Sequence, residues 1–344
     1  MSGPSISPSR SPIGKGTTRV TEVYSPESGS HPTTRLSQIR ESIREPAAEF
    51  LGVMVFVMFG NGVLCQTQLS RNASVAATTF GDYLSVCFGF AVGLALGAWV
   101  TGGYSQGHIN PAVTIAMATF RRDFPWRKVP GYILGQVLGG LCGAAVIYGN
   151  YIHAIDLVEG GRDIRTVPGT AGLFGTYALP YMTAASAWFQ EFLGTAIILI
   201  VVCALGDVRN RNAPPGLAPF VLFIMMLGIS AALGMQTGFA MNPARDLGPR
   251  LLTAMVGYGA PVFTFRNQYW LWCPILAPIV GALGTSSVSS TPIALAGVAN
   301  GTSISISISM SIPLPVGTFL YDLVFYGGAD SILSKVYVML SSPR

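Results

Sequence analysis

Gly107-His108-Ile109-Asn110-Pro111-Ala112-Val113-Thr114 and Gly238-Phe239-Ala240-Met241-Asn242-Pro243-Ala244-Arg245-Asp246-Leu247-Gly248-Pro249-Arg250, their Asn-Pro-Ala words 132 residues apart, are the stretches that decide the fold. The word they share is a helix start. Asn110 and Asn242 are good N-caps, Pro111 and Pro243 suit the first helical position, and Ala112 and Ala244 continue the helix. The run after each word is apolar but short, residues 113–119 in one copy and about 247–253 in the other, whereas a bilayer crossing takes roughly 20 residues. Each copy therefore predicts a half-helix that enters a membrane and stops near its middle. Irregular backbone at that depth is tolerated only inside protein or along a wet cavity. The strands leading in, Ser105-Gln106-Gly107-His108 and Thr237-Gly238-Phe239-Ala240, are thus expected to turn carbonyls into a pore. A lone Asn-Pro marks only a turn; two copies in matching positions carry the argument.

The rest of the 344 residues agrees with a lipid environment. Half are apolar and a tenth charged, with a positive mean hydropathy, too little charge for an ordinary soluble domain. Residues 84–100, 132–148 and 217–233 carry no charge; 47–64 holds only Glu49, and 188–205 only Glu191. A sixth candidate span begins at Trp270. A second word recurs at the start of the first and fourth spans, Glu49-Phe50-Leu51-Gly52 and Glu191-Phe192-Leu193-Gly194. Each half reads helix, helix, Asn-Pro-Ala, helix, and three spans per half force the second half to enter upside down, the inverted-repeat arrangement of many transport proteins. The fold class is all-α: six tilted membrane helices and two re-entrant half-helices. Gly89, Gly93 and Gly97, and Gly131, Gly135, Gly139 and Gly143, each line one helix face and predict close backbone packing. Five cysteines lack metal-ligand spacing, and nothing calls for a metal or cofactor. No nucleophile–base pair, P-loop or basic–aromatic stretch points to an enzyme or a nucleic-acid binder.

Lys and Arg crowd the N-terminal stretch, the link with Arg121, Arg122, Arg127 and Lys128, and the link with Arg209 and Arg211. This predicts both termini in the cytoplasm, with Asn72-Ala73-Ser74, a weak glycosylation sequon, outside.

At the two Asn-Pro-Ala stretches the chain resembles the aquaporin (major intrinsic protein) superfamily, in its fungal-like aquaglyceroporin branch. Both stretches look like that family's signature loops, and Asp246 and Pro274-Ile275 like marks of the glycerol-conducting branch. The likeness runs from about Glu45 to Leu283 and resumes at Gly317. It implies a homotetramer with one pore per subunit, set in the plasma membrane and passing water, glycerol and other small polyols. Asn110 and Asn242 would meet at midplane, each keeping an NH₂ for a permeant oxygen, while two half-helix N-termini repel cations; this is the standing argument for pores of that family. An Arg at this depth is costly unless it faces a wet lumen, and the family places Arg245 at the narrowest point. By the same pattern Phe239, Ser230 and Phe90 (or Phe88, two residues earlier) complete the constriction. Phe90 and Ser230 stand where glycerol channels usually carry Trp and Gly. Glu49 and Glu191 would support the loops, a proton relay being the alternative, and His108 would lend its carbonyl with its ring pinned.

Residues 1–44 read as a disordered cytoplasmic tail with Ser-Pro pairs at 7, 11 and 25. Residues 45–283 and 316–327 form the channel domain, and 328–344 a C-terminal tail. Between them 284–315, with Ser303-Ile304-Ser305-Ile306-Ser307, is a low-complexity insert whose removal restores a sixth span of normal length; a retained intron or gene-model error would account for it. A water-selective channel, a secondary transporter and a non-conducting sensor or scaffold are the competing functions.

Overall fold

The computed structural model describes residues 34–121, 123–207, 214 and 216–289. The chain divides into two units between Ser42 and Ile43. Of the first unit the described part is the opening of helix α1 (Arg35–Leu69), where Thr34 caps the helix by accepting from the Ser37 amide at 3.2 Å. Residues 35–44, expected as tail, are therefore helical, as the good helix formers Arg35, Leu36, Gln38, Arg40 and Glu41 allow.

The second unit is a helical bundle with no strand among the described residues. After α1 come α2 (Tyr83–Ser105), the half-helix α3 (Pro111–Phe120), α4 (Val129–Glu159), α5 (Ala184–Gly206), α6 (Ala218–Leu233) and the second half-helix α7 (Pro243–Thr253). Two short turns, α8 (Pro261–Thr264) and α9 (Tyr269–Leu271), lead through a π-helical turn, Trp272–Leu276, into α10 (Ala277–Ser289). Local chemistry sets the ends. Asp82 and Ser85 form a capping box ahead of α2, Thr183 caps α5, and Gly160, left-handed at φ 86°, closes α4. Half-helix α7 stops because Val256 and Gly257 leave helical geometry, Gly257 at φ 107°.

Among the described residues four helical stretches, Ser37–Leu69, Tyr83–Ser105, Trp126–Glu159 and Ala184–Gly206, are long and apolar enough to cross a membrane. The other two expected spans are shorter: α6 has 16 residues, about 24 Å at the helical rise, and the last apolar helix is Tyr269–Thr285. Helix α10 runs unbroken past Leu283 into the first residues of the expected insert. The remainder of that insert, 316–327 and the C-terminal tail lie outside the described residues, as do residues 1–33.

The halves interlock. Half-helix α3 packs on α10 of the other half, and α7 packs on α4, while α2 meets α6 and α5 meets α10. Glycines let α1 approach α2 and α4 closely, as their spacing predicted. A Cβ built on Gly143 would lie 2.6 Å from the Met54 carbonyl oxygen, and one on Gly93 2.8 Å from that of Phe56. Gly139 against the Phe50 carbonyl and Gly281 against that of Phe192 are tighter still, so the second half repeats a contact of the first. Large apolar side chains such as Leu51, Phe59, Trp99, Leu134 and Phe189 point outward from the long helices, a surface that only lipid or another apolar surface satisfies.

Candidate functional site at the meeting of the half-helices

Each irregular strand is held by one buried carboxylate. Glu49 Oε1 accepts from Ser105 Oγ (2.6 Å) and the His108 amide (3.0 Å), while Oε2 accepts from the Ile109 amide (2.6 Å) and Gln136 Nε2 (2.7 Å). Glu191 repeats this with Thr237 Oγ1 (2.6 Å) and Ala240 N (3.0 Å) on Oε1, and Met241 N (2.6 Å) on Oε2. Both residues are fully buried. Their work is visible in the backbone: Ile109, Phe239 and Met241 sit at φ 41°, 44° and 47°, a region costly for non-glycine residues and kept only where the surroundings over-determine it. Gln136 also donates to Thr114 Oγ1 at 2.9 Å.

The two asparagines cap as expected. Asn110 Oδ1 accepts from Ala112 N at 2.9 Å, and Asn242 Oδ1 from Ala244 N at 3.0 Å and Arg245 N at 3.3 Å. Their amides are not wholly free, however. Asn110 Nδ2 donates to the Met241 carbonyl (2.9 Å) and Asn242 Nδ2 to the Ile109 carbonyl (2.7 Å). One hydrogen of each NH₂ thus braces the opposite half, and one remains. The loop contacts form a closed cross: each Glu fixes an amide whose own residue's carbonyl receives the other half's Asn. Among the described residues, the carbonyls of His108 and Ala240 accept no protein hydrogen bond, whereas that of Ser105, expected to turn into a pore with them, accepts from the Tyr132 hydroxyl at 3.2 Å. The His108 ring is pinned between Phe124 and Tyr132, with centroids 4.7 and 5.3 Å away.

The structure gathers the residues expected at the constriction. The Phe90 and Phe239 rings meet edge to face at 4.8 Å, and Arg245 Cζ lies 4.7 Å from the Phe90 centroid and 6.0 Å from that of Phe239. Phe88, the alternative to Phe90, is exposed and packs near Phe223 instead. Arg245 is buried and has no carboxylate partner among the described residues; its Nη1 donates to the Phe174 carbonyl at 3.0 Å. Ser230 is buried, and its hydroxyl turns back to donate to the Met226 carbonyl at 2.7 Å, so it brings little polarity of its own.

Asp246 does not face Arg245. It pairs with Arg250 one turn on (Nε–Oδ1 2.7 Å) and accepts from the Thr176 amide and hydroxyl at 2.7 and 2.6 Å. Arg250 also donates to the Thr176 carbonyl (2.6 Å) and that of Val262 (2.8 Å). This clamp fixes the loop two residues beyond Phe174, and Arg165, bonded to Asp156 at 2.7 Å, anchors its start. Sequence reasoning did not single out Phe174, Thr176, Arg250 or Gln136. The i, i+4 spacing of Asp246 and Arg250 was a readable signal; a backbone carbonyl such as that of Phe174 leaves none. Among the described residues no group of three or more His, Cys, Asp or Glu could hold a metal ion.

The family model "Major intrinsic protein" matches residues 36–288. Aquaporin-6 of Laccaria bicolor is 54% identical over 299 residues, covering 87% of this chain and 85% of its own length. Aquaglyceroporin-2 of Rhizophagus irregularis is 41% identical over 298 residues, covering 86% of this chain and 82% of its own. Among solved structures, the X-ray structure of the aquaglyceroporin from Plasmodium falciparum superposes with a TM-score of 0.65 at 28% identity, covering 74% of this chain and 97% of its own. With the paired half-helices and these likenesses together, the chain belongs to the major intrinsic protein family and is an integral membrane channel of the aquaporin type, not an enzyme.

Proposed function

We propose that this channel conducts water and small uncharged polyols, glycerol among them, and excludes ions and protons. The observation that carries the reading is the two-sided wall at Phe90, Phe239 and Arg245. Two apolar rings offer a surface for a CH backbone, and one guanidinium, held by a single carbonyl, keeps donors for hydroxyls. A polyol has this same division between apolar edge and polar face. The fixed positive charge and the two half-helix N-termini oppose cations. Two named aquaglyceroporins among the similar proteins support the branch.

The same reading assigns the pore role to Asn110, Pro111, Ala112, Asn242, Pro243 and Ala244, and loop support to Glu49, Glu191, His108 and Asp246. It includes a homotetramer in the plasma membrane with both termini cytoplasmic, and residues 284–315 as an insert foreign to the functional sixth helix. The test is stopped-flow swelling of proteoliposomes in water, glycerol and urea gradients, with and without 284–315. Glycerol flux that rises linearly with concentration supports the proposal. Water flux alone would assign a water-selective channel, saturation a carrier, and no flux from either chain a scaffold.

A further inference from the structure

Gly234 closes α6 at φ −83°, a conformation any residue adopts, so its lack of a side chain needs another cause. That cause is crowding. A Cβ there would lie 2.6 Å from Phe239 Cδ1 and 2.5 Å from the Ser230 carbonyl oxygen, and closer still to the Tyr83 hydroxyl. Tyr83, the first residue of α2, donates to the Ser230 carbonyl at 2.8 Å, which also takes the Gly234 amide at 3.1 Å. Tyr83 stands seven residues before Phe90 on the same helix, two turns away on the same face. The Phe239 ring is therefore bounded on one side by Phe90 and on another by the close-packed Gly234, which Tyr83 contacts. The Phe239 backbone is itself held at φ 44°, so the position of the ring depends on what surrounds it.

We infer that Tyr83 and Gly234 are positioning residues for Phe239 and set the size limit of the constriction. This rests on the proposal that Phe239 lines it. Restoring ordinary contact with a Cβ at Gly234 displaces the Phe239 edge by roughly 1 Å, toward Phe90 and Arg245. Gly234→Ala is thus expected to narrow the pore. Tyr83→Phe releases the Ser230 carbonyl from its tie to α2 and gives the Phe239 ring room on that side.

The experiment uses the full chain in proteoliposomes, with water, glycerol and the four-carbon polyol erythritol as probes and flux normalised to inserted protein. For Gly234→Ala the glycerol-to-water ratio should fall about five-fold, with water flux per channel within about two-fold of wild type. For Tyr83→Phe the erythritol-to-water ratio should rise. Loss of correctly folded channels lowers all three fluxes in proportion and leaves the ratios where they were. In a Phe239→Ala background, Gly234→Ala should have no further effect on the ratio. If Phe239→Ala shifts the ratios and both Tyr83→Phe and Gly234→Ala leave them unchanged, the positioning role is overturned while the constriction stands. Should Gly234→Ala not insert, an unchanged erythritol ratio in Tyr83→Phe overturns it alone. If Phe239→Ala shifts nothing, the constriction itself is misplaced and the inference goes with it.

Discussion

Replacing Glu191 by Gln keeps shape and changes only which atoms accept. The carboxylate takes Thr237 Oγ1 and Ala240 N on one oxygen and Met241 N on the other. The least damaging amide orientation keeps the shared oxygen and turns its NH₂ toward Met241 N, donor against donor. One buried backbone N–H is left unpaired, and a charge-assisted bond is gone, together about 1.5–3 kcal/mol. The loss falls on the residue whose carbonyl braces Asn110, so it reaches the pore as well as stability. Glu49→Gln faces the same count. Its amide can turn the new NH₂ toward Ser105 Oγ, a hydroxyl able to accept, and keep Ile109 N and Gln136 Nε2 on its oxygen, leaving only His108 N orphaned. The two variants should therefore lose similar stability, melting several degrees lower in detergent, with reduced water flux per channel. Gln136→Leu should deepen the effect of Glu49→Gln and leave that of Glu191→Gln untouched. Thermal unfolding followed by size exclusion, with stopped-flow swelling alongside, measures both. Wild-type melting and flux in both single variants would refute the claim that these carboxylates hold the loops.

Arg245→Val should leave water flux largely intact and admit protons or cations, read as dissipation of a pH or potassium gradient; a variant as tight as wild type would show that the half-helix termini suffice. Ser230→His with Phe239→Cys should lower glycerol flux far more than water flux, by occlusion rather than by loss of a weak contact; unchanged glycerol flux in the inserted double variant places the constriction elsewhere. Gly139→Val sets a branched side chain against the Phe50 carbonyl and should cost about 3 kcal/mol or more, seen as a collapse in the monodisperse fraction on size exclusion; a normal yield would mean that α1 and α4 separate easily.

How much the residues disclose on their own depends on where the information lies. The repeated Asn-Pro-Ala words carry capping in their own side chains, and the glycine spacing carries packing, so these were legible, whereas loop support by the Glu of each Glu-Phe-Leu-Gly word was suggested only by the family likeness. The Asn amides bracing the opposite half were not, since that contact exists only once two segments far apart in sequence meet. Phe174 acts through its main chain, which any residue could supply. Phe90 against Phe88 was undecidable by counting because a helix offers both positions, and burial against Arg245 and Phe239 separates them. The early start of α1 was missed because polar helix formers resemble a solvated tail when no apolar face marks them.

The crossed bonds between Asn110, Met241, Asn242 and Ile109 also bear on how the protein is made. The N-terminal half leaves the ribosome first, with the Ile109 carbonyl and part of the Asn110 amide lacking the partners that the C-terminal half brings. In hydrocarbon, groups of that kind are costly. During synthesis the first re-entrant loop has to wait in a hydrated setting, or stay out of the bilayer, until more than a hundred further residues have arrived. The pore thus cannot be completed until the second half arrives, and a chain truncated before Met241 lacks the means to finish it.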